Sequence, residues 1–362
     1  MSRSTSNALP IVLDAMGGDG GVGIAVEAAL KAHRLNLGPI LLCGDQASIE
    51  NHCESPLPED IKIIHASEFI GMSESPGRAA RAKTQSSMHI GMQAVKEGRA
   101  SAFVTAGNSG AALAVGLVVL KRLEGCERPA ITSLMPSRTH HVVLLDMGAN
   151  VECKANHLAQ FAVLGATYAQ HVLKIKRPKV GLLSNGQENS KGTQTIREAH
   201  QLLNQMDLNY VGYREANDLP LGNCDVMVTD GFVGNVILKL SEGIVEALWS
   251  RMRTLVQERW WLRTWAGLLL KKSLQNLKSQ LDWRSIGGAP ILGLKGMVII
   301  SHGRADAEAL CQSIARAREY IKLDLQSHLR DAVDVTPFSG KVSSTSEIPI
   351  VQVMNENQSE NH

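Results

Sequence analysis

Five short clusters of Gly, Asn, Asp, Ser and Thr each follow directly on an apolar run. Asp14 leads into Ala15-Met16-Gly17-Gly18-Asp19, Thr105 into Ala106-Gly107-Asn108-Ser109-Gly110, and Asp146 into Met147-Gly148-Ala149-Asn150. Ser184 leads into Asn185-Gly186, and Asp230 into Gly231-Phe232-Val233-Gly234-Asn235. Glycine lets backbone N–H groups come close to a ligand, and a following helix start adds the positive end of its dipole. Loops of this kind suit an anionic or carbonyl-bearing substrate. Each loop alone is also ordinary turn chemistry; their number in one chain carries the weight.

Within these clusters several motifs compete. Gly18, Gly20 and Gly23 form a literal G-x-G-x-x-G after a strand and before a helix, as in dinucleotide sites. Asp14 and Asp19 flank it where a pyrophosphate would lie, and its first glycine comes late after the strand, which weighs against NAD(P). Gly186 to Thr193 is a near miss of the P-loop with Lys191 and Gly192 exchanged, and Lys191 beside a helix start would clamp a phosphate. The alternative is a solvated loop with a capping side chain. The amides of Asn108 and Asn235 can steady an oxyanion. His302, in Ser301-His302-Gly303, suits a general acid or phosphate donor as well as a structural turn. Cys153 reads better as a small core residue than as a nucleophile. His140-His141 lacks metal-ligand spacing, there is no H-E-x-x-H, and no metal site is expected.

Apolar runs of strand length alternate with helical periodicity from Pro10 to about Arg330. This is the signature of a mostly parallel sheet covered on both faces, with ligands bound where strands end. The spacing predicts further strands at Pro39–Cys43, Ile61–Ile64, Ala130–Leu134, Asn209–Val211 and Gly296–Ser301. It predicts helices at Ser75–Glu97, Ser109–Arg122, Asn156–Leu173, Lys191–Asn204 and Asp306–His328. In a parallel sheet the carboxyl ends of the strands, and so the loops, are expected along one edge. Residues 8–330 read as one catalytic domain, and 331–362 as a polar, loosely ordered tail.

With 362 residues, 44% of them hydrophobic, the chain can bury a large core. A net charge of +2 does not suggest a nucleic-acid binder. The polar start has no apolar signal core, and no apolar run approaches the roughly 18 residues of a membrane span. Six scattered cysteines without a Cys-x-x-Cys pair point to reduced thiols in the cytoplasm. One stretch departs from this even composition. All five tryptophans fall between 249 and 283, and residues 249–284 hold eight Arg or Lys against two acids. That stretch is +6, leaving −4 for the rest of a +2 chain. Ile244, Leu248, Met252 and Leu255 mark one helix face, and Leu270, Leu274, Leu277 and Leu281 another. A helical hairpin inserted at about 244–284 fits. Its Arg259, Trp260, Trp261, Arg263, Trp265, Lys271 and Lys272 suit a subunit interface, an acidic carrier protein or an anionic membrane surface.

Taken together the strings resemble the phosphate acyltransferase (PlsX) family, acyl-acyl-carrier-protein:phosphate acyltransferases of bacterial phospholipid synthesis. They are Asp14-Ala-Met-Gly-Gly-Asp19, Ser87-Met88 with Val95-Lys-Glu-Gly98, Ala106-Gly-Asn-Ser-Gly-Ala111, and Asp146-Met-Gly-Ala-Asn150 with Cys153-Lys154. Glu188-Asn-Ser-Lys-Gly192, Asp230-Gly-Phe-Val-Gly-Asn235, Ser241-Glu-Gly243, Gly287-Gly-Ala-Pro290 and Ser301-His-Gly303 continue them in order. The resemblance implies a homodimeric three-layer α/β/α enzyme without a cofactor, with a fold like isocitrate and isopropylmalate dehydrogenases and phosphotransacetylases. It implies acyl carrier protein and inorganic phosphate as substrates, and a membrane glycerol-3-phosphate acyltransferase taking the acyl phosphate. The runner-up is an NAD(P)-dependent dehydrogenase on a related fold. The expected roles are Asn108, Asn235 and His302 in catalysis, and Gly17, Gly18, Gly107, Ser109, Gly110, Asn185, Lys191 and Asp230 in binding phosphate or substrate. Asp14, Asp146 and Asp230 are expected to orient loops rather than to ionise in the reaction.

Overall fold

A computed structural model describes residues 8–188, 190–258 and 287–335. In chain order its elements begin with β1 (Ile11–Asp14), α1 (Gly21–Arg34), β2 (Ile40–Gly44), α2 (Gln46–Asn51) and β3 (Ile61–His65). They continue with α3 (Pro76–Ala82), α4 (Ser87–Lys96), β4 (Ala102–Thr105), α5 (Ser109–Val119), β5 (Ala130–Pro136) and β6 (His141–Leu145). Next come α6 (Ala155–Val172), β7 (Val180–Leu183), α7 (Gln194–Leu203), β8 (Tyr210–Arg214), α8 (Asp218–Leu221), β9 (Val226–Val228) and α9 (Gly231–Glu258). The last are β10 (Ala289–Leu292), β11 (Met297–Ile300), α10 (Ala307–Lys322) and α11 (Leu325–Val335).

The strands form one sheet in the order β3-β2-β1-β4-β11-β10-β5-β6-β9-β7-β8. Strand residues alternate between its two faces, as the pleat requires. Ile11, Leu13, Val104 and Val143 pack with Phe161 of α6 and Ile314 of α10, among others, while Val12, Phe103 and Val142 pack with Met92 of α4 and Val115 of α5. Helices therefore cover both faces, and every residue of β1, β4, β7, β9 and β11 is buried. Continuous apolar strands of this kind are what a doubly covered parallel sheet needs.

The single loop-bearing edge expected from the sequence is corrected by the strand directions. β10 runs antiparallel to both β11 and β5, and β5 antiparallel to β6. The group β3, β2, β1, β4 and β11 thus points one way, and β6, β9, β7 and β8 the other. Ile300 faces Ala289, Ile131 faces Ile291 and Leu145 faces Thr132. Counted along these pairs, β11 and β6 end within about one residue of the same level. The two groups run toward each other, and their carboxyl ends meet at mid-sheet.

Other differences have local causes. The single helix expected over 75–97 is two, because Ser86 leaves helical geometry and caps α4, accepting from the His89 amide. Asp324, at φ 48°, separates α10 from α11. The tail expected from Asp331 starts later: α11 runs to Val335, with Val333 buried against Gly125. The helix expected from Lys191 starts at Gln194, capped by Thr193. Of the inserted hairpin, 244–258 continue α9 as one helix with Ile244, Leu248 and Met252 exposed, and the remainder lies outside the described residues.

Candidate active site

Where the two strand groups converge lies a cleft of about 440 Å³. Loops after β4, β6 and β11 line it with Gly107 and Ser109, Met147 and Gly148, and Ser301 to Arg304. β5 contributes Ile131 and Ser133, and the first turns of α9 contribute Asn235, Leu238, Lys239 and Glu242. Four of the expected site residues, Gly107, Ser109, Asn235 and His302, therefore share one cavity. Asp19 and Met72 complete its rim.

The β4–α5 turn is the most tightly specified part. Asn108 caps α5: its Oδ1 accepts from the Ala111 amide at 3.0 Å. Its Nδ2 donates to the carbonyls of Met72 and Glu74, at 3.0 and 3.2 Å. Both amide protons and the acceptor are engaged, so Asn108 holds a loop rather than an oxyanion, contrary to expectation. The Gly107 amide donates to Thr105 Oγ1 at 2.9 Å and is likewise occupied. The backbone amides of Asn108, Ser109 and Gly110 take no partner among the described residues. With the α5 dipole behind them they form an anion seat beside the cleft.

The buried aspartates organise loops, as expected. Asp14 accepts from the Met16 amide at 3.0 Å and from Thr105 Oγ1 at 2.7 Å. Asp146 accepts from the amides of Ile131, Ala149 and Asn150 and from Asn150 Nδ2. Burial is the main influence on both and raises their pKa, with these hydrogen bonds opposing it. Asp230 Oδ1 accepts from the Val233 amide at 2.8 Å, a helix cap at the start of α9, and Asp230 is absent from the cleft lining. Gly17 lies over the Asp14–Thr105 junction. A Cβ there would stand 2.7 Å from Asp14 Oδ2, 2.8 Å from Thr105 Oγ1 and 2.9 Å from the Gly107 nitrogen. Gly18 packs on Ala106 and the Gly303 carbonyl, and Gly110 on Pro76. These glycines let loops touch; they do not line the cleft.

His302 is half-buried in the cleft, and burial is the main cause of its lowered pKa. Its Nδ1 accepts from the Arg304 amide at 3.1 Å, so the neutral ring carries its proton on Nε2. Asn235 stands opposite Gly148, where an added Cβ would lie 3.7 Å from its own. Lys239 pairs with Glu242 at 2.8 Å. Arg304 is exposed at the rim and forms no ion pair among the described residues. Sequence reasoning passed over both cations. Lys239 lies four residues after Asn235, on the same helix face, and Arg304 directly follows the Ser301–Gly303 string.

Lys191 and Asn185 lie elsewhere. The Asn185 Oδ1 closes its own loop by accepting from the Gly192 amide at 2.8 Å. Lys191 precedes α7 by three residues and is absent from the cleft lining. The loop follows β7, which β9 separates from β6. Cys153 sits 3.6 Å from the Asn150 carbonyl, and burial first, then Asp146 and Asp230, pushes its thiol up to about 12. Arg259, Trp260, Trp261, Arg263, Trp265, Lys271 and Lys272 lie outside the described residues. No cluster of metal-ligating side chains occurs among the described residues.

A family model described as fatty acid synthesis protein matches residues 9–328. A phosphate acyltransferase of Trichlorobacter lovleyi is 43% identical over 314 residues, covering 86% of this chain and 90% of that protein. A phosphate acyltransferase of Syntrophotalea carbinolica is 43% identical over 323 residues, covering 88% and 92%. Among solved structures, a phosphotransacetylase from Streptococcus pyogenes superposes with a TM-score of 0.57 at 18% identity, covering 88% of this chain and 96% of that one. A 4-hydroxythreonine-4-phosphate dehydrogenase from Klebsiella pneumoniae gives 0.50 at 12% identity, covering 89% and 100%. These two share the fold, a mostly parallel sheet between helical layers. The relatives at 43% identity identify the enzyme as an acyltransferase of lipid synthesis and set aside the nicotinamide-dependent alternative. On this evidence the chain belongs to the phosphate acyltransferase family.

Proposed function

We propose that the enzyme transfers a fatty acyl group from acyl-acyl-carrier-protein to inorganic phosphate, reversibly, giving an acyl phosphate for phosphatidic acid synthesis. The observation that carries this is the cleft itself. Ser109, at the start of α5, where the backbone amides take no partner among the described residues, shares the cleft with half-buried His302, with Arg304, which forms no ion pair among the described residues, and with the apolar Ile131, Met147 and Leu238. Phosphate seats on the amides of Asn108 to Gly110, with Arg304 and Lys239 balancing its charge. A phosphate oxygen attacks the thioester carbonyl. The C–O bond forms, the C–S bond breaks, and the thiolate of the carrier's arm leaves. Thiols ionise near pH 8.5, so the leaving group needs little proton donation. Asn235 and the Nε2–H of His302 steady the oxyanion.

The same reading includes a homodimer. Phe232, Val236, Leu240, Ile244, Leu248 and Met252 are exposed on α9 at four-residue spacing. A ridge of this spacing fits into the grooves of an equivalent helix, and a second copy would cover it. Membrane glycerol-3-phosphate acyltransferase is the proposed consumer of the product, at an anionic membrane surface reached from the cytoplasm. Among the described residues no helix is long and apolar enough to cross a membrane.

The test is incubation of the purified enzyme with palmitoyl-acyl carrier protein and phosphate, trapping acyl phosphate as the hydroxamate with hydroxylamine. Phosphate-dependent hydroxamate is expected. Thioester consumption that is independent of phosphate would overturn the reading.

A further inference from the structure

The cleft's anion seat is backbone, so something must aim it. We propose that Thr105, held by the buried Asp14 carboxylate, is the positioning residue that aims the Asn108–Gly110 amides at phosphate. This rests on the phosphate-transfer reading above and assigns a role outside the groups that touch substrate.

Three residues, Ala106 to Asn108, turn the chain from the end of β4 into α5. Asn108 is fixed by the carbonyls of Met72 and Glu74. Among the described residues Gly107 is held through Thr105, whose Oγ1 accepts its amide at 2.9 Å. That hydroxyl gives its own proton to Asp14 Oδ2 at 2.7 Å. The order Asp14, Thr105, Gly107 sets the direction of every bond. A carboxylate can only accept, so the hydroxyl must donate to it, and its lone pairs are left for the Gly107 N–H. Asp14 is itself immobile, buried at the end of β1 and bonded to the Met16 amide. β1 and β4 are neighbours in register, with Leu13 opposite Val104, which puts Asp14 beside Thr105. The Thr105 carbonyl also accepts from the Ser301 amide at 2.7 Å, the residue before His302. One threonine thus ties the α5 amides and the histidine loop to a common anchor. Gly17 is the lid of the junction, because a methyl group there would meet all three polar atoms.

Thr105→Val keeps the shape and removes the hydroxyl. It should lower kcat/KM for phosphate about 10- to 100-fold, the scale of one buried polar group left unpaired. KM for the acyl thioester should stay within about twofold. Thr105→Ser should restore the phosphate parameters. Hydrogen exchange of the 103–112 peptide, read by mass spectrometry, should speed up in Thr105→Val and return toward the parent in Thr105→Ser. The exchange measurement needs no turnover, so it decides the anchoring even if the parent forms no acyl phosphate and the functional reading fails. Gly17→Ala attacks the same junction from its open side and should reproduce the defect if Thr105→Val does not fold. A folded Thr105→Val or Gly17→Ala with parental exchange and phosphate kinetics would overturn the proposal. So would a Thr105→Ser as impaired as the valine variant, since shape rather than the hydroxyl would then be what matters.

Discussion

Two cations compete for the phosphate, and the strand order separates them. Lys191 belongs to the motif that looks most like a phosphate loop, yet its strand β7 lies two steps from β6, the nearest strand whose loop lines the cleft. At about 4.8 Å per step this sets the ends of the two strands on the order of 10 Å apart, and Lys191 is absent from the cleft lining. Arg304 is at the rim and lacks an acidic partner among the described residues. A hydrogen bond to a charged group contributes about 1.5–3 kcal/mol. Arg304 is exposed, so the lower end applies, and 1.4 kcal/mol is tenfold in a dissociation constant. Arg304→Ala should therefore raise KM for phosphate about tenfold at low ionic strength, with kcat changed less than threefold. Added salt should narrow the gap, because exposed charges are screened over about 10 Å at 0.1 M. Lys191→Ala should leave KM for phosphate within about twofold. The assay is the initial rate of hydroxamate formation against phosphate concentration, with circular dichroism to confirm folding. A tenfold rise for Lys191→Ala with parental Arg304→Ala would refute the placement and move the phosphate to the β7 loop.

Four further outcomes are expected. Cys153→Ser should keep most activity, because a thiol pushed up to about 12 is scarcely ionised near neutral pH; an acyl adduct on Cys153 by mass spectrometry would overturn direct attack by phosphate. Gly234→Ala should cost about 1–3 kcal/mol in urea unfolding, since its methyl would overlap the Asp146 carbonyl. Stability should fall between pH 7.5 and 5.5. Burial lowers the pKa of His89, His141, His157, His171, His200 and His302, so the unfolded chain takes up protons near pH 6.5 before the folded one does. The raised Asp14 and Asp146 act in the opposite sense, and a urea midpoint that rises on acidification would show that they prevail. Changing Trp260, Trp261 and Trp265 to Ser should lower sedimentation with anionic vesicles, and changing Arg259, Arg263, Lys271 and Lys272 to Gln should weaken vesicle or carrier binding; if both bind normally while the dimer dissociates, the segment serves only as a subunit interface.

Periodicity and turn chemistry locate elements and loops, because both are local. The runs ending at Asp14, Thr105 and Asp146 are strands that stop close to where the sequence says, and helices cover both faces of their sheet. What stayed hidden depends on partners far along the chain. β10 is four residues long and contains Pro290, so it reads as part of a Gly-Gly-Ala-Pro turn. Yet it joins β11 to β5, and the antiparallel pairing of β5 with β6 then reverses half of the sheet and brings two sets of loops to one cleft. Asn108 is equally good chemistry as an oxyanion donor or a helix cap. The carbonyls that decide the matter, Met72 and Glu74, come from 36 and 34 residues earlier. Lys191 sits in a persuasive local motif, but strand order, a property of the whole sheet, keeps it from the cleft. The converse case is Arg304, unremarkable in sequence and promoted only because β11 ends at mid-sheet. Motif strings therefore identify which loops matter, and sheet topology decides which side chains in them can reach the same substrate. For this enzyme the decisive topological fact is the odd number of antiparallel pairings between β11 and β6, namely β11–β10, β10–β5 and β5–β6, without which the loops after β11 and β6 would not converge on one cleft.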